Sequence, residues 1–171
     1  MKQRAETSKS SPKFSGEQPF HLHDAPLHGT NLVEAAAGTG KTYAIECLFV
    51  RLIAEAGLAV SQVLVVTYTN AATDQLRDRI RRKLRDAVHA LAGGGASDPF
   101  VAEFVRRRDG DAEQKGLCLQ RLQGAIRDFD QASIFTIHGF CRLMLNDFAF
   151  ESGASFQTEL ITDQESLKEE V

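Results

Sequence analysis

Ala35-Ala36-Ala37-Gly38-Thr39-Gly40-Lys41-Thr42 has the residue types and spacing of a phosphate cradle. It matches G-x-x-x-x-G-K-[ST] except that Ala35 stands at the first glycine. Gly38 and Gly40 remove Cβ atoms that would keep backbone N–H groups away from a phosphate. The helix expected after the loop aims its positive N-terminus at the same point. Lys41 supplies a point charge for the β and γ phosphates, and Thr42 a hydroxyl for Mg²⁺. Ala35 opens the loop and need not touch phosphate, so loss of the first glycine changes little. The competing reading is a glycine-rich strand–helix turn with a chance Lys-Thr. An apolar run before the loop and an amphipathic pattern after it favour the cradle. ATP and Mg²⁺ are therefore the expected cofactors.

Such a loop works only if a strand and a helix hold its two ends. Asn31 to Ala35 is a short apolar run that reads as that strand. From Lys41 to Glu55, Ile45, Leu48, Phe49, Leu52 and Ile53 recur at helical spacing and mark one apolar face. Gly57 is the expected stop. Gln62 to Thr67 is a β-branched run of the kind buried on both sides in a central parallel strand. Ala71 to Leu91 reads as a helix with Leu76, Ile80, Leu84, Val88 and Leu91 on its inner side. Gly93-Gly94-Gly95 ends it. Asp98 and Pro99 form a helix start, and polar, Arg-rich helices are expected over 99–108 and 112–128. Ser133 to Ile137 is a third strand-like run. It leads into a helix from about Gly139 that should bury Phe140, Leu143, Met144 and Phe148. Phe156 to Ile161 reads as a short extended piece, and Thr162-x-x-Glu165 as a capping box opening another helix. This alternation is α/β: a parallel sheet with helices on both faces.

In open α/β sheets the C-terminal ends of strands line the binding crevice. Here those ends carry Thr67-Tyr68-Thr69-Asn70 and Thr136-Ile137-His138-Gly139-Phe140. Rings can stack on bases and short polar groups can hold phosphates, which are the means of gripping single-stranded nucleic acid. For Tyr68 the alternative is a core aromatic, and for His138 a hydrogen-bonded structural histidine. Arg77, Arg79, Arg81, Arg82, Lys83 and Arg85 crowd the second helix among Asp74, Asp78 and Asp86, with Asp78 and Arg82 as an i,i+4 pair. They read as a solvated face, or alternatively as contacts to DNA phosphate.

Three segments, NLVEAAAGTGKTYAI, VLVVTYTNAATDQLRDRIRRKL and IFTIHGFCRLMLNDFAFESG, resemble the opening motifs of UvrD/Rep-type superfamily 1 DNA helicases. The likeness is greatest to the RecB-type branch, the beta subunits of exodeoxyribonuclease V, at TIHGFC and AFESG. It covers about residues 26–171. The resemblance implies a P-loop NTPase (RecA-like) fold and ATP contacts at Ala35 to Thr42, with Mg²⁺ reached through Thr42. It implies DNA contacts at Thr67, Tyr68, Thr69, Asn70, Thr136 and His138. It also implies single- and double-stranded DNA ends and the other subunits of an exodeoxyribonuclease V-type complex as partners. Several family features are missing from the sequence: an L-N-x-x-Q motif before the loop (Gln18 lies in a polar stretch), the D-E-x-[QD] motif that holds Mg²⁺ and the attacking water, the arginines that stabilise the γ phosphate, the second motor domain and the nuclease domain. No complete catalytic set is therefore expected in these 171 residues. The expected organisation is a disordered leader over 1–25 and an incomplete N-terminal ATP-binding domain over 26–171, ending at the start of an inserted subdomain. The expected function is the ATP- and single-stranded-DNA-binding front end of a helicase/exonuclease subunit for double-strand-break repair and recombination, inactive as an isolated chain. The alternative is a non-catalytic P-loop remnant that binds nucleotide or a partner subunit only.

Composition is consistent with one domain. The chain has 171 residues with 43% hydrophobic content and a net charge of −3. That charge excludes a histone-like polybasic protein. From Asp147 to Val171 seven acids face one lysine, so acidity concentrates at the C-terminal end. No apolar run is long enough to span a bilayer, and the first twenty residues lack the apolar centre of a signal peptide. Cys47, Cys118 and Cys141 are scattered without C-x-x-C spacing, which argues against a disulfide framework or zinc site. His21 and His23 flank a leucine with no further ligand near them in sequence. A reduced, cytoplasmic protein without membrane contact is expected.

Overall fold

The structure is a computed structural model that describes residues 20–36 and 38–148. Ala37, the first nineteen residues and the expected elements at 156–165 lie outside the described residues. The chain is α/β. Helix α1 (Lys41–Ala54) is followed by strand β1 (Leu64–Thr67) and the long helix α2 (Asn70–Leu91). Helices α3 (Pro99–Arg106) and α4 (Ala112–Arg127) lead to strand β2 (Ser133–Thr136) and helix α5 (Ile137–Asp147). β1 and β2 pair in parallel, with Leu64 opposite Ser133, Val65 opposite Ile134, Val66 opposite Phe135 and Thr67 opposite Thr136.

The core is a helical layer rather than a sheet sandwich. Phe49, Val50 and Ile53 of α1, Ile80 and Leu84 of α2, Val101 and Phe104 of α3 and Leu122 of α4 are all almost fully buried. α3 and α4 are thus amphipathic and help fill the core, where their arginines suggested polar helices. Asp98 and Asp111 cap them, accepting from the N–H groups of Val101 (3.1 Å) and Gln114 (2.9 Å). Such caps each contribute about 1 kcal/mol.

Three expectations about the sheet are corrected. Residues 31–36 form no strand; Leu32 and Val33 are exposed, and among the described residues β1 and β2 pair only with each other. A run without a ladder partner leaves its N–H and C=O groups to water, so its β propensity gains nothing. β1 is not buried on both sides, because Leu64 and Val66 are exposed while Val65 packs against the core. Among the described residues the side of β1 that carries Leu64 and Val66 is left open. α5 has no buried residue: Leu143 and Phe148 are exposed and Phe140 and Met144 half-buried. The face of α1 is also rotated from the expected one. Glu46, Phe49, Val50 and Ile53 face inward, whereas Ile45 is exposed, because α1 packs on α2 and α4.

Order also begins before Pro26. Residues 20–25 form a turn with Leu22 packed on the core. Arg51 of α1 donates from Nη1 to the Leu22 and Ala25 carbonyls, each at 2.8 Å, and Arg107, just after α3, pairs with Asp24 at 2.7 Å. His23 stacks on Phe100 with ring centroids 4.6 Å apart. Its ring is taken up by packing, and no group of three or more His, Cys, Asp or Glu side chains converges among the described residues.

Candidate nucleotide and nucleic-acid site

The loop before α1 owes its shape to two glycines. Gly38 has φ +80° and Gly40 φ +90°, a region that side chains with a Cβ rarely adopt. No atom lies within 4 Å of a Cβ built on Gly38, so its backbone conformation is already sufficient reason for glycine there. Gly40 is the N-cap of α1 and offers no side-chain cap. Among the described residues the N–H groups of the first turn thus have no side-chain cap, the arrangement in which a helix end can take an anion. α2 and α5 differ: Thr69 accepts from the Ala72 N–H and Thr136 from the Gly139 N–H, both at 3.1 Å.

Lys41 Nζ donates to the carbonyls of Ala35 and Ala36, each at 2.7 Å, and Thr39 Oγ1 donates to Ala36 O at 2.7 Å. The ammonium therefore sits over the loop it would serve. It is exposed and can exchange carbonyl oxygens for phosphate oxygens without leaving a buried group unpaired. Thr42 is exposed beside it, at the second position of α1. These residues fit a triphosphate with Mg²⁺: an uncapped helix end, a positive side chain and a free hydroxyl converge on one loop.

The two other candidate segments lie side by side. Because Thr67 pairs with Thr136, both strands end at the same edge and both helices start there. The threonines organise this edge rather than pointing away from it. Thr67 Oγ1 lies 2.6 Å from Thr73 Oγ1 and 3.2 Å from Thr69 O, and Thr69 and Thr136 are helix caps. Tyr68, Asn70 and His138 remain available. Tyr68 is 86% exposed, which removes the core-aromatic alternative. His138 is exposed and makes no hydrogen bond from its ring among the described residues.

Most of the basic residues of α2 are occupied internally. Arg77 Nη2 donates to Ile134 O at 2.9 Å and so ties the helix to β2. Arg81 pairs with Asp130 at 2.8 Å, Arg79 approaches Glu46 at 3.6 Å, and Lys83 pairs with Asp98. Arg82 and Arg85 are exposed; the Arg82 Nε reaches the carbonyl of Asp78 at 3.4 Å rather than its carboxylate. The expected side-chain pair between Asp78 and Arg82 is therefore not made.

Sequence reasoning missed the polar cluster behind α1. Asp98 accepts from Tyr43 Oη (3.0 Å), from Lys83 and from the Val101 N–H. Burial alone raises its carboxyl pKa, but these three donors outweigh burial and hold it below the usual carboxylate range. Lys83 Nζ also lies 4.3 Å from the centre of the Tyr43 ring. Burial, with Cys47 and Asp98 beside it, pushes the Tyr43 phenol upward, and burial pushes the Cys47 thiol up to about 12, so neither ionises near neutrality. The available signal was the position of Glu46 and Lys83 on the inner faces of their helices.

The sequence profile of the UvrD/REP helicase N-terminal domain matches residues 18–171. The RecBCD enzyme subunit RecB of Haemophilus influenzae is 40% identical over 169 residues, covering 87% of this chain and 13% of that protein. RecB of Escherichia coli strain K12 is 41% identical over 151 residues, covering 84% and 12%. RecB of Mycobacterium tuberculosis is 36% identical over 141 residues, covering 81% and 13%. The chain thus spans about an eighth of the length of the curated relatives it matches. With a phosphate loop, an adjoining pair of strand ends and this match over nearly its whole length, the chain belongs to the UvrD/REP helicase N-terminal domain family, with the P-loop NTPase fold of that family.

Proposed function

We propose that this chain is the ATP- and single-stranded-DNA-binding front end of an ATP-dependent helicase/exonuclease subunit. That subunit would act in the cytoplasm at DNA ends, in double-strand-break repair and recombination, with the other subunits of a RecBCD-type complex. The observation that carries the reading is the pairing of Thr67 with Thr136, which sets exposed Tyr68 and His138 on one edge. Ala35 to Thr42 hold the triphosphate, with Mg²⁺ reached through Thr42; Ala37 lies in that stretch by sequence. Nucleotide supplies the energy-yielding phosphoryl transfer. The residues of this chain grip the phosphates and present one side of a single-strand track. Among the described residues no helix is long and apolar enough to cross a membrane.

Tyr68→Ala should weaken single-stranded DNA binding by about 1–3 kcal/mol, the contribution of one base stacked on a ring. The test is a fluorescence titration of labelled oligo-dT at three salt concentrations. Wild-type dissociation constants should be micromolar or weaker, near non-specific binding. The salt slope should stay unchanged in Tyr68→Ala, since stacking releases few counterions, and also in Arg82→Ala if that residue is simply solvated. An unaltered affinity in Tyr68→Ala would reject the stacking role.

The 171-residue chain should not hydrolyse ATP at a DNA-stimulated rate, because its sequence has no D-E-x-[QD] motif to orient water. A phosphate-release assay with and without oligo-dT checks this. Turnover that vanishes in Lys41→Ala would contradict it. The second reading, a P-loop module that binds nucleotide or a partner subunit only, draws support from the exposed Leu64 and Val66. Stabilisation by Mg-ATP without any oligo-dT binding would select it.

A further inference from the structure

Glu46 is a buried carboxylate that the site above does not use. It lies on α1 five positions after Lys41, and its side chain is 7% exposed. Buried carboxylates are ordinarily satisfied by hydrogen bonds, yet Glu46 Oε1 has no hydrogen-bond partner among the described residues. Its nearest cations stand just beyond hydrogen-bond reach: Arg79 at 3.6 Å from Oε1 and Lys83 at 3.9 Å from Oε2. Both belong to α2, the helix that begins at the Thr67–Asn70 edge. Lys83 has a second carboxylate available in Asp98, which it engages here. One ammonium thus stands between two acids, fully bonded to one and held off from the other.

Closing the gap between α1 and α2 by about 1 Å would turn both long pairs of Glu46 into charge-assisted hydrogen bonds, which are short and strong. α1 carries the nucleotide loop at its N-terminus and α2 carries the nucleic-acid edge at its own. We infer that Glu46, facing Arg79 and Lys83, is a positioning residue that couples nucleotide occupancy of the loop to the affinity of the Tyr68 edge for single-stranded DNA. The two arrangements are the present one, with Lys83 on Asp98 and Glu46 under-bonded, and one in which α2 has closed on Glu46. Nucleotide that draws α1 toward the second arrangement changes DNA affinity, and DNA changes nucleotide affinity by the same factor. This inference rests on the proposed binding of ATP and DNA.

The experiment measures the dissociation constant of labelled oligo-dT with and without a non-hydrolysable Mg-ATP analogue, using the 171-residue chain. The wild type should show a ratio of roughly fivefold or more between the two conditions. Glu46→Gln should bring that ratio to about one while it still binds the analogue, since the amide keeps the volume but not the charge. Arg79→Gln should do the same from the half-exposed side of the pair, where misfolding is less of a risk, and Arg79→Lys should restore part of the ratio. Leu122→Val, a loss of core volume in α4, should lower the melting temperature and leave the ratio alone. A wild-type ratio of one, or an unchanged ratio in folded Glu46→Gln and Arg79→Gln, overturns the coupling while leaving the binding assignments intact. Wild-type protein that binds neither ligand overturns those assignments and the coupling with them.

Discussion

Lys41→Ala is expected to abolish the rise in melting temperature that Mg-ATP gives the wild-type chain. At a nucleotide concentration a hundred times the dissociation constant, binding stabilises the folded state by about 2.7 kcal/mol. Lys41 is the compact cation of the loop, and its ammonium already sits 2.7 Å from two loop carbonyls. Without it the γ phosphate has only N–H dipoles to face. The unliganded protein should barely change, because Ala35 is half-buried and Ala36 exposed, and water can replace the lost donor; such surface changes stay within about 0.5 kcal/mol. Thermal melts of both proteins with and without Mg-ATP provide the comparison. Equal shifts in the two would remove Lys41 from the phosphate site.

Lys83→Met is expected to cost the fold about 3–5 kcal/mol at neutral pH, the penalty for leaving buried charge unpaired. Lys83 is 7% exposed and stands between Asp98 and Glu46. Methionine can still pack against the Tyr43 ring, so the loss is mainly electrostatic. The pH dependence separates the two contributions. In the wild type the folded Asp98 pKa is depressed, so its stabilisation is present above the ordinary carboxylate range and disappears as pH falls through the depressed value. In the variant the lysine no longer opposes burial, so the carboxyl moves upward and protonates more readily in the folded state. The gap between the two proteins should therefore narrow as the pH is lowered from 7 toward about 4. Urea unfolding at three pH values would show it. A gap of constant size would assign the loss to packing instead.

The helices and the loop were legible in the sequence because their signals are local. Leu76, Ile80 and Leu84 repeat at helical spacing and are buried as that spacing requires. Asp98 before Pro99 marked a helix start and is one. The sheet was less legible. Leu64, Val65 and Val66 have the same β-branched or apolar character, yet burial differs between neighbours, because Val65 packs against the core while Leu64 and Val66 stay exposed among the described residues. The run at Leu32 and Val33 has strand composition but no neighbour to pair with among the described residues. Composition cannot register either fact, since both depend on what lies across the sheet. At the edge itself, sequence reasoning grouped Thr67, Thr69 and Thr136 with Tyr68 and His138 as contact residues. The hydroxyls make capping bonds and a bond to Thr73, whereas the rings of Tyr68 and His138 are exposed. The cluster of Glu46, Lys83 and Asp98 was invisible for a related reason: charged residues at helix-spaced inner positions look like interruptions of an apolar stripe until their partners on other helices are known.

The parallel pairing of β1 with β2 has a consequence for the order in which capacities arise during folding. Residues 35–42 are contiguous, so the nucleotide loop needs only its own turn and the first residues of α1. The nucleic-acid edge joins residues separated in the chain by all of α2, α3 and α4. Closing so long a loop costs chain entropy before any strand contact repays it. The helices between them supply most of the core. The proposed phosphate grip is thus a property of a short stretch of chain, whereas the surface bearing Tyr68 and His138 exists only once β1 and β2 have paired.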